Sequence, residues 1–177
     1  KPARRRSVSA AMVSWRMTRF RVTPDALSPL DAAILQHRGA AIDGYRKVDE
    51  IPFDFERRRL SVVVDHGGTR LLITKGAPES VIACCAAYEM DGRCAPLDGA
   101  MRARSEATYR GLSARGSRVL AVAYATVPLQ AGYSAADERE LVLAGFVAFF
   151  DPPMEGVADA VRALRRDGVV VKILTGD

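Results

Sequence analysis

The chain is 177 residues long, 49% hydrophobic and 27% charged, a composition ordinary for a soluble globular protein with one domain or two small ones. Its longest apolar run, Leu141–Phe150, is too short to cross a bilayer, and no signal peptide is visible. Three cysteines form no Cys-x-x-Cys pair, and their odd number fits a reducing compartment. We expect Cys84 and Cys85 to be packing residues of a helix.

The net charge of +5 is a local feature of the N-terminal segment. Seven of the 26 basic residues precede the first acid, Asp25, so the remaining 19 are outnumbered by the 21 acidic residues. Basic residues around Trp15 and Phe20 would suit a nucleic-acid-binding module. The slight excess of acidic over basic residues in the rest of the chain argues against a broad basic face. We therefore interpret 1–24 as a basic terminal segment and expect no nucleic-acid partner.

The first predicted elements are a helix and a β-hairpin. Ser28 followed by Pro29 is typical of a helix start. Residues 60–64 and 69–74 are predicted to be strands joined by a turn at 67–68, where two glycines follow each other. This hairpin would bring the segment 53–59 close to Lys75.

Two phenylalanines lie on the extended segment before that hairpin. Pro52 keeps the segment from being helical, and Phe53 and Phe55, two residues apart, then fall on one side of it. An aromatic face next to the arginines at 57–59 would suit an aromatic base attached to phosphates. The alternative is two core phenylalanines beside an exposed basic bend, and for Phe55 alone we expect the core.

Lys75 is predicted to lie at a strand-to-helix corner. The apolar run before it ends as a strand at Gly76, and Pro78 suits the first turn of a helix that we expect to continue through Cys85. Glu79 places a negative charge where the helix dipole favours one. Gly76 would let a ligand approach the backbone, so Lys75 could meet a phosphate or a nucleotide; the alternative is a solvated lysine before a tight turn.

The elements that follow indicate the fold class. Asp98 is predicted to cap a helix that runs to Ala114, and Gly116 ends it. Strands are predicted at 117–125 and 141–149, with a polar loop between them. Strands outnumber helices, so we expect an α+β fold in which a mainly antiparallel β-sheet carries flanking helices.

A second unit is predicted to begin at Asp151, where two prolines break the strand. Residues 154–166 are expected to form a helix with Val157, Val161 and Leu164 inward and Gly168 as its C-cap. Residues 169–174 are expected to form a buried strand of the parallel-sheet kind. With the polar run 175–177 at its end, this unit is typical of a C-terminal α/β fragment, cut off where the chain stops.

Four of these stretches together resemble the P-type cation-transporting ATPase family. They are Pro-Phe-Asp-Phe-Glu-Arg-Arg-Arg-Leu-Ser-Val at 52–62, Lys-Gly-Ala-Pro-Glu at 75–79, Asp-Pro-Pro at 151–153 and Thr-Gly-Asp at 175–177, in the family's order. Residues 29–35 and 49–51 resemble the bacterial magnesium-transporting subgroup more closely. The resemblance implies a nucleotide-binding domain over 1–150, poorly matched at 1–24, and the start of the second part of the phosphorylation domain, truncated, at 151–177.

The resemblance also implies roles for single residues, by match to the family's motifs. Phe53 would stack on adenine, and Lys75 and Gly76 would lie at the base of the pocket. Three further residues would lie near the nucleotide: Asp31 near the adenine amino group, Arg58 near the nucleotide, and Arg118 at the phosphates. Thr175, Gly176 and Asp177 would lie near the γ-phosphate and Mg²⁺ in the phosphorylation domain.

The sequence departs from the family's pattern in ways that bear on chemistry. Leu30 stands where many members have a hydroxyl residue, and Met154 where a basic residue is common. Asp-Lys-Thr-Gly-Thr, which carries the phosphorylated aspartate, is absent, as is Gly-Asp-Gly-x-x-Asn-Asp. Phosphoryl transfer needs a nucleophile and positioned magnesium, so we expect this fragment to bind nucleotide without turning it over, with no catalytic or metal-ligating residue of its own.

The implied parent protein is an ATP-driven pump for a cation, with magnesium favoured. Its cofactors would be ATP and Mg²⁺, and the partners of this fragment would be an adenine nucleotide and the phosphorylation, actuator and membrane domains of the same polypeptide. The fragment, itself soluble, would lie at the cytoplasmic face of the inner membrane. The alternative is a fragment of a haloacid-dehalogenase-like phosphatase with a large cap, against which Phe53 and the Lys75 corner argue.

Overall fold

The structure is a computed structural model that describes residues 9–12, 44–150 and 156–172. The described strands are β1 (Ser9–Met12), β2 (Tyr45–Asp54), β3 (Arg59–His66), β4 (Thr69–Gly76), β5 (Cys85–Met90), β6 (Arg93–Pro96), β7 (Arg118–Val127) and β8 (Leu141–Phe150). The described helices are α1 (Pro78–Ile82), α2 (Gly99–Ala114) and α3 (Val157–Arg166), with a 3-10 turn at Ala135–Asp137. None of these helices is long and apolar enough to cross a membrane.

All eight described strands belong to one sheet: seven lie in the order β2-β3-β4-β7-β8-β5-β6, and β1 pairs with β8 outside that order. β8 pairs with β7 along most of its length, while β5 and β1 pair with its first and last parts. Every pairing is antiparallel except that of β5 with β8. The prediction of a mainly antiparallel sheet with flanking helices is therefore confirmed, including the turn at 67–68.

The sheet has an apolar cluster on each face. The larger cluster joins the sheet to α1 and α2 and contains Leu72, Val81, Leu112, Leu141 and Phe146, among others. The smaller cluster contains Val64, Ile73, Val122, Val147 and Phe149. Because successive strand residues alternate between faces, the continuous apolar runs of β4, β7 and β8 supply both clusters.

Helix α2 forms where the sequence predicts it. The side chain of Asp98 accepts a hydrogen bond from the amide of Met101 at 2.7 Å, which satisfies one of the free amides of the first turn. Met101, Tyr109 and Leu112 pack on the larger cluster. Gly116 follows the helix with a φ of +80°, a conformation that glycine adopts without strain.

Helix α1 is shorter than predicted and ends at Ile82 rather than continuing through Cys85. The amide of Leu141, the first residue of β8, donates to the carbonyl of Cys84 at 2.9 Å, so the chain begins to pair with the sheet at Cys84. Arg102 of α2 donates to the carbonyls of Ile82 and Cys85 at 2.7 and 3.0 Å. These contacts satisfy the carbonyls at the end of α1 and turn the chain into β5.

The predicted buried strand at 169–174 is wrong over the residues that the structure describes. Residues 169–172 are irregular, and Val169, Val170 and Val171 are 46%, 78% and 39% exposed. Val157 and Leu164, predicted to face inward from α3, are also exposed. A strand needs hydrogen-bonded neighbours, and none of the described strands pairs with this segment.

The three thiols should differ sharply in reactivity. Burial raises the pKa of Cys85 to about 12 and also raises that of Cys84, whereas Cys94 is exposed. Since the thiolate is the reactive form, iodoacetamide at pH 8 should modify Cys94 first and leave Cys85 unmodified in the folded protein. Peptide mass spectrometry would measure this, with urea-unfolded protein as the control in which all three react. Equal labelling of Cys85 and Cys94 in the native state would contradict the burial of Cys85.

Candidate nucleotide site

The turn between β2 and β3 is fixed by Asp54. Its side chain accepts hydrogen bonds from the amides of Glu56 at 2.6 Å and Arg57 at 3.3 Å, and these bonds lower the pKa of the Asp54 carboxyl. Arg58 has a φ of +49°, and its amide donates to the carbonyl of Asp54 at 2.6 Å. The turn at 55–58 therefore has a defined conformation.

Two phenylalanine rings lie at this turn. Phe53 is 50% exposed and Phe55 is 89% exposed. The ring centroids are 5.3 Å apart, and the ring planes meet at 87° in an edge-to-face arrangement. The prediction that Phe55 is a core residue is wrong, because the last strand pair joins Asp54 to Arg59 and Phe55 lies beyond it in the turn.

Lys75 and Gly76 end β4, as the sequence predicts, and α1 begins at Pro78. Lys75 lies opposite Leu60 of β3 and Val122 of β7. The hairpin therefore brings the segment 53–59 to the end of β4, as predicted. Lys75 is half-buried, and its strand lies between two neighbouring strands. The alternative that Lys75 is a fully solvated lysine is therefore wrong.

Gly76 is required because the backbone at Arg58 and Arg59 comes close to it. A Cβ atom at this position would lie 2.4 Å from the carbonyl oxygen of Arg58 and 2.5 Å from the Cβ of Arg59. The amide of the next residue, Ala77, donates to that same carbonyl at 2.9 Å. The backbone that comes close to Gly76 is thus that of the β2–β3 turn, which packs directly on the Lys75 corner.

The strand register places two of the predicted residues, Lys75 and Arg118, on one face of the sheet. Lys75 shares a face with Val122, and Arg118 lies four residues before Val122 on the same strand, hence on the same face. Phe53 lies within a register irregularity of β2, between Ile51 and Asp54, so alternation does not assign its face; it adjoins Asp54, whose partner Arg59 pairs in turn with Gly76. Four residues of strand separate Arg118 from the level of Lys75 by about 13 Å.

Arg58, a fourth predicted residue, lies at the surface beside this corner. Its guanidinium forms an ion pair with Glu79 of α1 at 2.9 Å, and both side chains are about half exposed. An exposed pair of this kind contributes little to stability, so a phosphate could replace the carboxylate as its partner.

The arginines on either side of Arg58 are held by a buried carboxylate, that of Glu138. This side chain has no exposed surface and follows the 3-10 turn in the loop between β7 and β8. Arg57 Nη1 donates to its two oxygens at 2.9 and 2.8 Å, and Arg59 Nε donates to Oε2 at 2.7 Å. Although burial alone would lower the pKa of Arg57, the bonds to Glu138 raise it.

Two hydroxyls extend this network into the sheet. Ser61 Oγ donates to Glu138 Oε1 at 2.7 Å and lies 2.8 Å from Thr74 Oγ1. Since Ser61 gives its only hydroxyl hydrogen to Glu138, the hydroxyl of Thr74 donates to Ser61. Sequence reasoning missed Glu138, because nothing in the polar loop marks it and its partners lie about 80 residues earlier.

The remaining predicted residues lie outside the part of the chain that the structure describes. These are Asp31, Thr175, Gly176 and Asp177, together with the predicted helix start at Ser28 and Pro29.

A cavity of about 180 Å³ lies elsewhere, between α2 and the strands β5 and β8. None of the predicted nucleotide residues lines it. Two of its polar groups are already engaged, since Glu89 accepts the hydroxyl of Tyr124 at 2.6 Å and Thr108 donates to the carbonyl of Arg104. The cavity therefore adds nothing to the site at the Lys75 corner.

The mainly antiparallel sheet with flanking helices is the fold that the resemblance implies for the nucleotide-binding domain of a P-type ATPase. Residues 29–156 match the family model described as P-type ATPase, cytoplasmic domain N. The chain therefore belongs to the P-type ATPase family.

Similar proteins agree with this assignment. The chain is 44% identical over 135 residues to magnesium-transporting ATPase, P-type 1, of Escherichia coli K12, and 44% identical over 135 residues to the protein of that name in Salmonella typhimurium 14028s. It is 37% identical over 136 residues to calcium-transporting ATPase 3, endoplasmic reticulum-type, of Arabidopsis thaliana. Each alignment covers 75% of this chain but only 14–15% of the relative, so the chain spans a small part of the length of these proteins.

Proposed function

We propose that this chain is the ATP-binding part of a P-type ATPase that couples ATP hydrolysis to cation transport, with Mg²⁺ as the transported ion. One observation carries the proposal: the half-exposed Phe53 adjoins Asp54, whose strand partner Arg59 pairs with Gly76, so Phe53 lies beside the corner that carries Lys75. The names of the relatives, most of all the two magnesium-transporting ATPases, support the choice of ion. In this proposal the chain lies at the cytoplasmic face of the membrane, joined to the actuator, phosphorylation and membrane domains of its parent.

In this proposal, different residues bind different parts of the nucleotide. Phe53 stacks on adenine, with Asp31 near the adenine amino group. Lys75 and Gly76 form the base of the pocket, where the ammonium group of Lys75 supplies positive charge. Arg58 exchanges Glu79 for the nucleotide, and Arg118, further along the face, reaches its phosphates.

Magnesium would enter with the phosphates of ATP rather than through a site of this domain. Among the described residues, no group of three or more His, Cys, Asp or Glu side chains could hold a metal ion. Residues 151–177 are proposed to begin the second part of the phosphorylation domain. There Thr175, Gly176 and Asp177 would lie near the γ-phosphate and Mg²⁺. The nucleophilic aspartate would come from the parent protein.

The central test is the replacement of Phe53 by alanine. Loss of the stacked ring should weaken the binding of AMP, ADP and ATP by about 1–3 kcal/mol each, and the melting temperature should change little because the ring is not in the core. Lys75→Ala should also weaken binding and leave the fold intact. Calorimetric titration and thermal melts of the 177-residue chain would measure both quantities.

A matched control is available in Leu129, another exposed apolar side chain, which lies in the loop after β7. Leu129→Ala should leave nucleotide affinity unchanged. If Phe53→Ala bound AMP as tightly as the unaltered chain, the site would lie elsewhere. An ATP affinity more than about a hundredfold above that of AMP would contradict a site anchored on the base.

A further inference from the structure

Phe55 is the most exposed of the large apolar side chains that the structure describes, at 89%. A single exposed apolar residue needs no explanation, but this one touches a second exposed ring. Its partner in the edge-to-face pair, Phe53, is the ring that we propose as the adenine platform. The pair lies outside both apolar clusters, so neither ring is needed to fill the core.

The backbone on both sides of Phe55 is held in place. Before it, the carbonyl of Pro52 accepts a hydrogen bond from Arg57 Nη2 at 2.8 Å, while Arg57 Nη1 binds Glu138. After it, the amides of Glu56 and Arg57 donate to Asp54. Phe55 is therefore presented to solvent from a fixed turn, where its ring contacts that of Phe53.

We propose that Phe55 is a positioning residue for nucleotide binding. Its ring contacts Phe53 at 5.3 Å and restricts the rotation of the Phe53 ring, so that the adenine platform is oriented before the nucleotide arrives. The ligand is a nucleotide whose planar purine base stacks on Phe53. This inference rests on the proposed function, because it needs Phe53 to be the platform.

The test is a double-mutant cycle on the 177-residue chain, with AMP as the ligand and calorimetry as the measurement. Phe55→Ala should weaken AMP binding by about three- to tenfold, as expected for loss of an aromatic pair, with an unchanged melting temperature. Phe55→Tyr keeps the ring and should retain the affinity. In a chain that already carries Phe53→Ala, Phe55→Ala should have no further effect, because Phe55 acts only through Phe53.

The outcomes separate this inference from the proposed function. If Phe53→Ala weakens AMP binding but Phe55→Ala does not, Phe55 has no positioning role and the proposed site stands. Additive losses in the double variant would mean that Phe55 contacts the nucleotide itself, which would also overturn the positioning role. If Phe53→Ala has no effect, the proposed site fails and this inference fails with it.

Discussion

Replacing Glu138 with glutamine should lower the free energy of unfolding by about 3–5 kcal/mol, the range for removing one partner of a buried ion pair. The side chain is fully buried, and Arg57 and Arg59 are only 19% and 15% exposed, so water can compensate the two guanidinium groups only in part. An amide also replaces one acceptor oxygen by a donor. That donor would face Arg57, Arg59 or Ser61, each of which already donates at this point.

Urea denaturation at pH 7, followed by circular dichroism, would measure this loss. Glu140→Gln is the matched control, since Glu140 is exposed and two residues away, and it should change the free energy by no more than about 0.5 kcal/mol. A Glu138→Gln chain that unfolded at the same urea concentration as the unaltered chain would show that the network contributes nothing to stability.

Replacing Gly76 with alanine should cost about 3 kcal/mol, at the upper end of the range for overpacking. The added Cβ would lie 2.4 Å from a backbone oxygen, and backbone cannot rotate aside as a long side chain can. Either β4 or the β2–β3 turn must move. Since Phe55 lies in that turn and Phe53 lies just before it, nucleotide affinity should fall together with stability.

Gly111 provides the control, because a Cβ added there, in the last turn of α2, would meet nothing within 4 Å. Gly111→Ala should raise the free energy of unfolding by about 0.5–1 kcal/mol, since alanine is the better helix former. Thermal melts of the two variants should thus move in opposite directions. Equal melting temperatures would mean that the approach of the turn to Gly76 is looser than the structure indicates.

The parts of the fold that the sequence predicts well are those with a strong local signal. Two consecutive glycines mark the β3–β4 turn, Asp98 marks the start of α2, and unbroken apolar runs mark β7 and β8. Asp91 and Gly92 also indicate a turn, but the mixed residues around them conceal the two short strands that it joins, β5 and β6.

The site is predicted less completely, because its geometry depends on distant parts of the chain. Periodicity places Phe55 beside Phe53 in the core only if the strand continues, and the Asp54 turn ends it. The sequence does not distinguish the three arginines at 57–59. In the structure Arg57 and Arg59 bind the buried carboxylate of Glu138, which lies about 80 residues later in the chain. Likewise, the apolar residues at 169–171 indicate a strand, but a strand also needs hydrogen-bonded neighbours.

The sheet order has a consequence for folding on the ribosome. β4, a central strand, lies between β3, which precedes it directly, and β7, which begins about 40 residues later. At a synthesis rate of ~5–20 residues per second, the β2–β3–β4 meander exists for about 2–8 s before β7 has been made. During that interval the apolar edge of β4 from Leu71 to Ile73 is open to pairing with other chains. Nascent-chain aggregation should therefore be greatest in this window, and a chaperone that binds extended apolar segments would act there.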